Sequence, residues 1–390
     1  MSEKMIRSDR PKRVLIIAGE ASGDLHGANL VRAVHRVAPR VGFYGIGGEN
    51  LRSAGAQLLF HNSQLALVGI SEVLPKLRSI LLAFGRVKRS LVEEDPDLAV
   101  LIDFPDFNLH MAGHLKRRGI PILYYISPQI WAWRGWRINK IRKLVDRMVV
   151  VLPFEPSFYG KRGVEVSFLG HPLLDVVKPS PDAARLLRRP GVGPGSRVIG
   201  LFPGSRDQEV HRLLPVMLDA ASLMVDQGLD LHFLVALAPD IDPGEIGRLV
   251  EMKNLSVGIV ENRPYDVMAV SEVLLVASGT VTLEAAILNT PMVILYRVSP
   301  LTYWIGRMMA RVDHIGLVNL VAGTTVAPEL IQGRASADMA AREVISILED
   351  VQRCSTMKSA LAEVREKLGT PGASDRVARL VLEMIDGEKG

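Results

Sequence analysis

Residues 272–297, EVLLVASGTVTLEAAILNTPMVILYR, decide the fold. The run EVLLVA is short and apolar, as in a buried parallel strand, and the small residues SGT follow it. The apolar spacing then becomes helical through Leu283, Ala286 and Ile287, and Pro291 precedes a second apolar run, MVILYR. The stretch therefore predicts a strand, a tight turn, a helix and a second strand of an α/β sheet.

The turn in this unit has the composition of a ligand site. Ser278, Gly279 and Thr280 allow a ligand to approach the backbone closely, and N–H groups at a helix start can hold an anion. Glu284 follows one turn into the helix, where a carboxylate suits a sugar diol. The alternative is an ordinary capped turn with Glu284 in water.

Length and composition limit the class of protein. A chain of 390 residues exceeds one ordinary core, which predicts two domains, and 48% apolar residues argue against global disorder. The net charge of +5 and pI near 9.3 suit nucleic acid, phosphorylated substrates or an anionic membrane surface. Cys354 is the only cysteine, which excludes an intrachain disulfide. Without a signal-like or membrane-spanning apolar run, we expect a cytoplasmic protein, soluble or peripheral on a membrane.

Two glycine-rich turns follow the first predicted strands. RVLIIA leads into GEASGDLHGANL, which contains Gly19, Ser22 and Gly23, and the next unit, VGFYGIGGENL, contains Gly47. Neither turn has the GxGxxG spacing or the Lys-Ser/Thr of a phosphate-binding loop. Both are expected at the carboxyl edge of a parallel sheet, where ligands bind in open α/β folds.

Residues 67–91 alternate apolar and basic side chains at helical spacing. One interpretation is a helix that faces the core. The other is a patch that enters a membrane interface. The apolar residues of that patch are Val68, Ile70, Val73, Leu74 and Leu77.

Two carboxylates follow the predicted strand LAVLI. Asp103 and Asp106 lie three residues apart with Pro105 between them, an arrangement that suits a general base and an orienting partner. The alternative is that Asp106 or Asn108 caps the next helix.

Aromatic and basic residues alternate after residue 130. Trp131, Trp133 and Trp136 are followed by a run of basic residues that extends to Arg147. This pattern is compatible with RNA binding, with packed Trp rings beside solvated charges, or with a phosphorylated acceptor.

The second half repeats the architecture after a linker at 178–196 that is rich in Pro, Gly and Ser. Arg206, in the turn PGSR after the strand VIGLF, is placed to pair with a diphosphate, although a plain surface arginine is the alternative. Asn319 is either a second phosphate contact or a turn residue.

Together these motifs resemble lipid-A-disaccharide synthases, inverting glycosyltransferases of the GT-B type. The matching segments run in the family's order from residue 18 to about 323: AGEASGDLHGANL, GIGGENL, IDFPDFN, YYISPQIWAWRGWR, LPFEPSFY, FLGHPLLD, PGSRDQEV, ASGTVTLEAA and NLVAG. The resemblance implies two Rossmann-like α/β domains that face a cleft. It also implies transfer of 2,3-diacylglucosamine from UDP to the 6-hydroxyl of 2,3-diacylglucosamine 1-phosphate, with inversion.

The resemblance also gives the residues roles. Asp103, with Asp106 as the second candidate, becomes the base, Arg206 and the turn 278–280 hold the diphosphate, Glu284 binds the ribose and Asn319 adds a diphosphate contact. No cofactor or metal is implied. The acylated substrates favour the membrane patch and place the protein on the inner face of the cytoplasmic membrane, and a homodimer with exchanged C-terminal segments is compatible with the family.

The expected organisation has three parts. Residues 1–175 form an acceptor-side domain, 176–360 a UDP-sugar domain, and 361–390 are helices that return to the first domain. Two rival functions are a different UDP-sugar enzyme, such as an epimerase, and a basic RNA-binding protein that uses the tryptophans.

Overall fold

The structure is a computed structural model that describes residues 10–65, 73–188, 197–239, 241–253, 255–309 and 312–387. The chain forms two compact units, Met1–Pro172 with Thr370–Gly390, and Leu173–Gly369. The predicted boundaries, 175/176 and 360/361, therefore differ from those observed. The second differs because one helix, Val351–Lys367, continues through residue 360 and belongs to the second unit.

The first unit contains a seven-stranded sheet in the order β3-β2-β1-β4-β5-β6-β7, with every pair parallel. The strands β1, β4 and β5 are almost wholly apolar and buried because helices cover both faces of the sheet. The seven strands are β1 Arg13–Ala18, β2 Gly42–Gly47, β3 Gln57–His61, β4 Leu98–Ile102, β5 Ile122–Tyr125, β6 Arg147–Val150 and β7 Ser167–Phe168.

The crossover helices of the first unit follow the strands in turn. They are α1 Ala21–Val37, α2 Glu49–Ser53, α3 Val73–Glu93, α4 Pro105–Arg117, α5 Ile138–Leu144 and α6 Glu155–Gly160. The last helix of the chain, Ala373–Asp386, packs on α1. Arg376 of that helix donates from Nε to the carbonyl of Leu169 at 2.9 Å, which ties the returning tail to the end of the unit's N-terminal segment.

The second unit contains a six-stranded parallel sheet in the order β10-β9-β8-β11-β12-β13. Its strands are β8 Arg197–Phe202, β9 Leu231–Leu237, β10 Val257–Glu261, β11 Val273–Ala277, β12 Met292–Tyr296 and β13 Glu329–Ile331. The predicted strand–turn–helix–strand unit at 272–297 is confirmed as β11, the helix Val281–Ile287 and β12.

The helices of the second unit cover both faces of this sheet. They are α7 Leu173–Val176, α8 Asp207–Asp226, α9 Pro243–Glu251, α10 Pro264–Val270, α11 Val281–Ile287, α12 Pro300–Met309, α13 Leu317–Ala322, α14 Ala337–Glu349 and α15 Val351–Lys367. The last helix of the chain, Ala373–Asp386, belongs to the first unit and is numbered α16. A polar network holds the segment before β8 on this unit. Asp266 accepts hydrogen bonds from the N–H (2.6 Å) and the Oγ (2.8 Å) of Ser180, and Arg263 bridges Asp266 and Asp182.

The six strands of the second sheet follow the same order as the first six strands of the first sheet. In each sheet the order in which the chain adds strands reverses beside the first strand. The reversal lies between β1 and β4 in the first unit and between β8 and β11 in the second. In open α/β sheets this crevice at the carboxyl ends of the strands is where ligands bind. None of the described helices has the length and apolarity that a membrane crossing requires.

Candidate active site

Four of the predicted site residues follow the four strands that flank the two reversals. In the first unit, Gly19 follows β1 and Asp103 follows β4; in the second, Arg206 lies four residues beyond β8 and Ser278 follows β11. The fold therefore places one group of candidate residues at the ligand-binding edge of each unit.

Asp103 sits in an unusual backbone turn. Asp103 and Phe104 both have φ of +43°, and Ile126 nearby has φ of +64°. The Asp103 N–H donates to the carbonyls of Tyr125 (3.3 Å) and Ile126 (3.2 Å) at the end of β5. Left-handed backbone at residues with a Cβ is strained and is found preferentially at functional sites.

The carboxyl group of Asp103 is suited to proton transfer. Burial raises its pKa from the ordinary value of 3.8 to about 7, and the negative charges of Glu20 and Glu155 act in the same direction. The Phe104 backbone N–H opposes this rise. A carboxyl group that titrates near neutral pH can accept a proton from a substrate hydroxyl and is still ionised often enough to act as a base.

Asp106 has a different environment from Asp103. Its side chain lies in the first turn of α4, is 70% exposed, and forms ion pairs with Arg134 (3.2 Å) and with Arg137. Two guanidinium groups thus bind the Asp106 carboxylate, which is largely in solvent, whereas the Asp103 carboxyl group is buried. Neither Asp106 nor Asn108 caps α4, whose N-cap position is Phe104 without a side-chain cap.

The glycines of the first unit serve packing of the protein itself. A Cβ at Gly19 would lie 2.3 Å from the Phe104 ring, and one at Gly47 would lie 2.4 Å from Leu51. A Cβ added at Gly23 would lie at ordinary contact distances from Ile102 and Ala18. Ser22 is exposed. The direct role of Gly19 is thus to admit the Phe104 ring beside the turn at Asp103.

Asp24, which the sequence analysis did not single out, occupies the second glycine turn. Its buried carboxylate accepts from the N–H groups of Gly48 (2.6 Å), Asn50 (3.1 Å) and Leu51 (3.1 Å). The N–H groups of this turn are thereby used by the protein. The sequence signal was an acid in the first turn of α1, three residues after Ala21.

The three tryptophans divide into one buried and two exposed rings. Trp131 is 8% exposed and donates from Nε1 to the buried carboxylate of Glu155 at 3.2 Å. Trp133 and Trp136 are 43% and 69% exposed, and the Arg134 guanidinium lies 4.3 Å from the centre of the Trp133 ring. The pattern thus combines a structural anchor with a surface of aromatic and basic groups.

In the second unit, Arg206 lies at the start of α8. Its side chain is 68% exposed and pairs with Glu209 at 3.2 Å. Glu209 also accepts from the Ser205 N–H at 3.2 Å and fills the space beside Gly204, whose φ is +121°. The turn is therefore closed by Glu209, and the Arg206 guanidinium faces solvent at the edge of the sheet.

The turn 278–280 splits between structural and open positions. Ser278 donates from Oγ to the carbonyl of Ile315 (3.0 Å) and from its N–H to Leu295 (3.1 Å), so both of its donors serve the protein. At Gly279, by contrast, no described atom lies within 4 Å of the position that a Cβ would take. Thr280 is exposed. The free space at Gly279 and Thr280 makes these two the positions that a ligand can approach.

Glu284 lies one turn further along α11. Burial alone raises its pKa from 4.5 to about 7, and its charge raises the pKa of the neighbouring Tyr265 together with the burial of that phenol. A partly buried carboxyl group beside an open turn is suited to hydrogen bonds with a diol.

The prediction that Asn319 contacts a diphosphate does not fit the structure. The side chain is fully buried: Nδ2 donates to Ala327 O and Glu329 Oε1 (both 2.8 Å), and Oδ1 accepts from the N–H groups of Val326 (2.8 Å) and Ala327 (2.9 Å). Because an amide has two donor hydrogens and one acceptor oxygen, these bonds use its capacity. Asn319 holds the loop 323–329, and the turn alternative of the sequence analysis describes it better.

Most of the predicted membrane patch lies outside the residues that the structure describes. Val68 and Ile70 are outside the described residues; Val73, Leu74 and Leu77 begin α3, and their side chains are not described.

Sequence comparison identifies the family. The family model of lipid-A-disaccharide synthetase matches residues 14–383. The chain belongs to the lipid-A-disaccharide synthase family. Relatives include the lipid-A-disaccharide synthase of Geobacter sulfurreducens, 49% identical over 373 residues (96% of this chain and 97% of that protein), and that of Myxococcus xanthus, 43% identical over 376 residues (96% and 98%).

Solved structures confirm the two-domain α/β fold expected for this family. The glycosyltransferase of kitacinnamycin has a TM-score of 0.66 at 16% identity, covering 96% of this chain and 99% of its own. The UDP-GlcNAc 2-epimerase of Neisseria meningitidis bound to UDP-GlcNAc has a TM-score of 0.64 at 11% identity, covering 95% and 100%. At such identities the likeness concerns the fold alone.

Several residues around the turn at Asp103 of this lipid-A-disaccharide synthase family member were not given a site role by the sequence. The hydroxyl of Tyr124 and the amide of Asn108 both donate to the carbonyl of Asp103, and Arg137 is a buried partner of Asp106. Tyr124 and Arg137 could not be found from local sequence, because they lie far from Asp103 and Asp106 along the chain.

Proposed function

We propose that the protein transfers 2,3-diacylglucosamine from UDP to the 6-hydroxyl of 2,3-diacylglucosamine 1-phosphate in lipid A biosynthesis. The products are the β-1,6-linked disaccharide 1-phosphate and UDP. The observation that carries the proposal is the family match over residues 14–383. A half-buried carboxyl group and an open βα turn at the two sheet reversals are consistent with it.

The reaction needs a proton acceptor for the attacking hydroxyl. Asp103 takes the proton from the acceptor 6-hydroxyl as that oxygen bonds to C1 of the donor sugar. Attack from the face opposite the leaving UDP gives inversion. The raised pKa of Asp103, about 7, means that its carboxylate form predominates only above neutral pH.

The second unit binds the donor nucleotide in this proposal. The diphosphate takes up the electron pair of the broken C1–O bond, and the Arg206 guanidinium and the backbone at Gly279 and Thr280 stabilise that charge. Glu284 accepts hydrogen bonds from the ribose hydroxyls. Hydrogen bonds from these hydroxyls would favour ionised Glu284 and lower its pKa from about 7.

The acyl chains of both substrates place the reaction at a lipid surface. We infer that the protein is peripheral on the inner face of the cytoplasmic membrane and that residues 68–77 contribute apolar contacts. A homodimer is also compatible with the family. Vesicle flotation of the wild type and of a variant with Val68, Ile70, Val73, Leu74 and Leu77 changed to Ser tests the patch, with circular dichroism as the control for folding.

A radiolabelled assay tests the reaction. Purified protein is incubated with labelled UDP-2,3-diacylglucosamine, 2,3-diacylglucosamine 1-phosphate, detergent and EDTA, and the products are separated. We expect disaccharide 1-phosphate and UDP in equal amounts. Absence of product with tight UDP binding would contradict the acceptor assignment, and conversion of UDP-GlcNAc to its C2 epimer would favour the epimerase alternative.

A further inference from the structure

The turn that carries Asp103 concentrates backbone strain. Eight residues other than glycine have positive φ in the described part of the chain, and three of them, Asp103, Phe104 and Ile126, meet at this turn. Phe and Ile are disfavoured there because their Cβ atoms crowd the backbone. Such a conformation persists only where the surroundings fix it from several sides.

Two side chains fix the turn through a single atom, the carbonyl oxygen of Asp103. The hydroxyl of Tyr124 donates to it at 2.6 Å, and Nδ2 of Asn108 donates at 2.7 Å and also reaches the carbonyl of Ile102 at 3.2 Å. Both side chains are fully buried. One donor comes from β5 and the other from α4, so two elements on either side of the turn determine the orientation of the 103–104 peptide.

The opposite side of the turn is fixed by the Phe104 ring. It stacks on Phe107 with 5.4 Å between ring centres and fills the space that a side chain at Gly19 would need. The peptide and the next side chain are thus both held, and the direction of the Asp103 side chain follows from them.

We propose that Tyr124 and Asn108 are positioning residues that hold the Asp103 carboxylate in its proton-accepting geometry through the Asp103 carbonyl. The inference rests on the proposed function, in which Asp103 is the base. A hydroxyl and an amide that donate to a backbone oxygen leave the carboxylate itself uncovered for substrate. Loss of either donor lets the turn relax and moves the carboxylate towards water.

The titration of Asp103 reports this geometry. The charged groups that face Asp103 are Glu20, from the turn after β1, and Glu155, at the start of α6; burial, the largest cause of the raised pKa, depends on the turn itself. A relaxed turn exposes the carboxyl group, and its pKa falls towards the ordinary range. The acidic limb of kcat/KM then moves to lower pH, an effect that general loss of stability does not produce.

Tyr124→Phe is the test, because it removes one oxygen and keeps the ring. The matched control is Tyr44→Phe: Tyr44 is also fully buried, but it lies on β2 beside the Arg13 guanidinium, and β1 separates β2 from the strand β4 that precedes Asp103. We expect kcat of Tyr124→Phe to fall about tenfold with little change in KM, since one hydrogen bond is lost. Its acidic limb moves to lower pH, while Tyr44→Phe keeps the wild-type profile.

The outcomes separate this inference from the proposed function. If wild-type protein makes no disaccharide, the proposed function fails before the variants are compared. If wild type is active and Tyr124→Phe matches it in kcat and acidic limb, Tyr124 does not position the base. A fall in kcat with an unmoved limb, or equal effects in both tyrosine variants, also overturns the inference. Should Tyr124→Phe not fold, Asn108→Ala removes the other donor and is judged by the same readouts.

Discussion

The burial of Asp103 lowers the stability of the folded protein at neutral pH. Its pKa is raised to about 7 in the folded protein, above the ordinary value of 3.8, because folding buries it. Folding therefore disfavours the ionised form, and the resulting loss of stability develops as the pH rises from about 4 to about 7. The group destabilises the protein most in the pH range where its carboxylate form, which the proposed role as a base requires, predominates.

Asp103→Asn separates the two effects. We expect turnover to fall by about 10²- to 10⁴-fold because the amide cannot take the proton, with UDP affinity unchanged. At pH 8 the variant is more stable than wild type, and at pH 3.5 the difference disappears because both side chains are neutral. Thermal melts at the two pH values check this. Full activity, or a less stable variant at pH 8, would contradict the assignment of Asp103.

Glu284 gives the corresponding prediction for nucleotide binding. Glu284→Gln should weaken UDP binding by about tenfold or more, since charged hydrogen bonds to the ribose are lost. Isothermal titration with UDP at pH 8 measures it. Glu272→Gln is the control, because Glu272 pairs with Arg197 at the opposite end of β11. Equal affinity of the two variants would remove Glu284 from the site.

The sequence predicted which carboxylates lie near the ends of strands but could not show how their environments differ. Asp103 was preferred to Asp106 only because it lies nearer the end of the strand. The ion pairs that set Asp106 apart come from Arg134 and Arg137, about thirty residues away in the chain and brought close by the fold. Asn319 looked like a ligand contact because nothing local shows that its amide faces Ala327 and Glu329. Long-range partners, not residue type, set the environment of each of these side chains.

Among the structural elements, the turns at Gly204 and Gly279 of the second unit lead to opposite predictions for an alanine substitution. An added methyl group at Gly279 enters open space, so Gly279→Ala should fold as the wild type does. It should bind UDP more weakly, by up to about tenfold, because the methyl group crowds the ligand. At Gly204, φ is +121° and the new Cβ would lie 2.5 Å from Glu209. Gly204→Ala should therefore lose about 1–3 kcal/mol of unfolding free energy.

Calorimetric unfolding and UDP titration of both variants check this contrast. A destabilised Gly279→Ala would mean that the turn is needed for packing, and undiminished UDP affinity would place the diphosphate elsewhere.

The elements themselves were the most predictable part. Buried parallel strands read as continuous apolar runs, as in Leu98–Ile102 and Val273–Ala277, and Gly or Pro marks their ends. The left-handed backbone at Phe104 had no such signal, because its neighbours β5 and Gly19 lie far from it in sequence.

At the scale of the molecule, the chain leaves the first unit at Pro172 and returns to it at Thr370. The returning helix α16 contributes buried Val377, Val381 and Ile385 to the surface of α1, and Arg36 pairs with Asp375. The sequence predicted a tail that returns but not its starting point, because the helices that α15 packs against, which are α11, α13 and α14 of the second unit, lie elsewhere in the chain. The first unit thus has a discontinuous chain, while the second is continuous.

This organisation predicts how fragments behave. Residues 173–369 contain a complete six-stranded sheet and every proposed UDP contact, so this fragment should fold alone and bind UDP with the affinity of the whole protein. Residues 1–172 lack α16, whose removal uncovers the apolar face of α1, and should be unstable alone.

Joining residues 1–172 to 370–390 through a short Gly-Ser linker restores the missing helix. The contact from Arg376 to Leu169 at 2.9 Å brings the two ends close enough for such a linker, and we expect this chain to melt cooperatively. Circular dichroism melts and UDP titrations compare the three fragments. A stable 1–172 would show that α16 is dispensable for the first unit, and a folded 173–369 without UDP affinity would mean that nucleotide binding needs residues of the first unit.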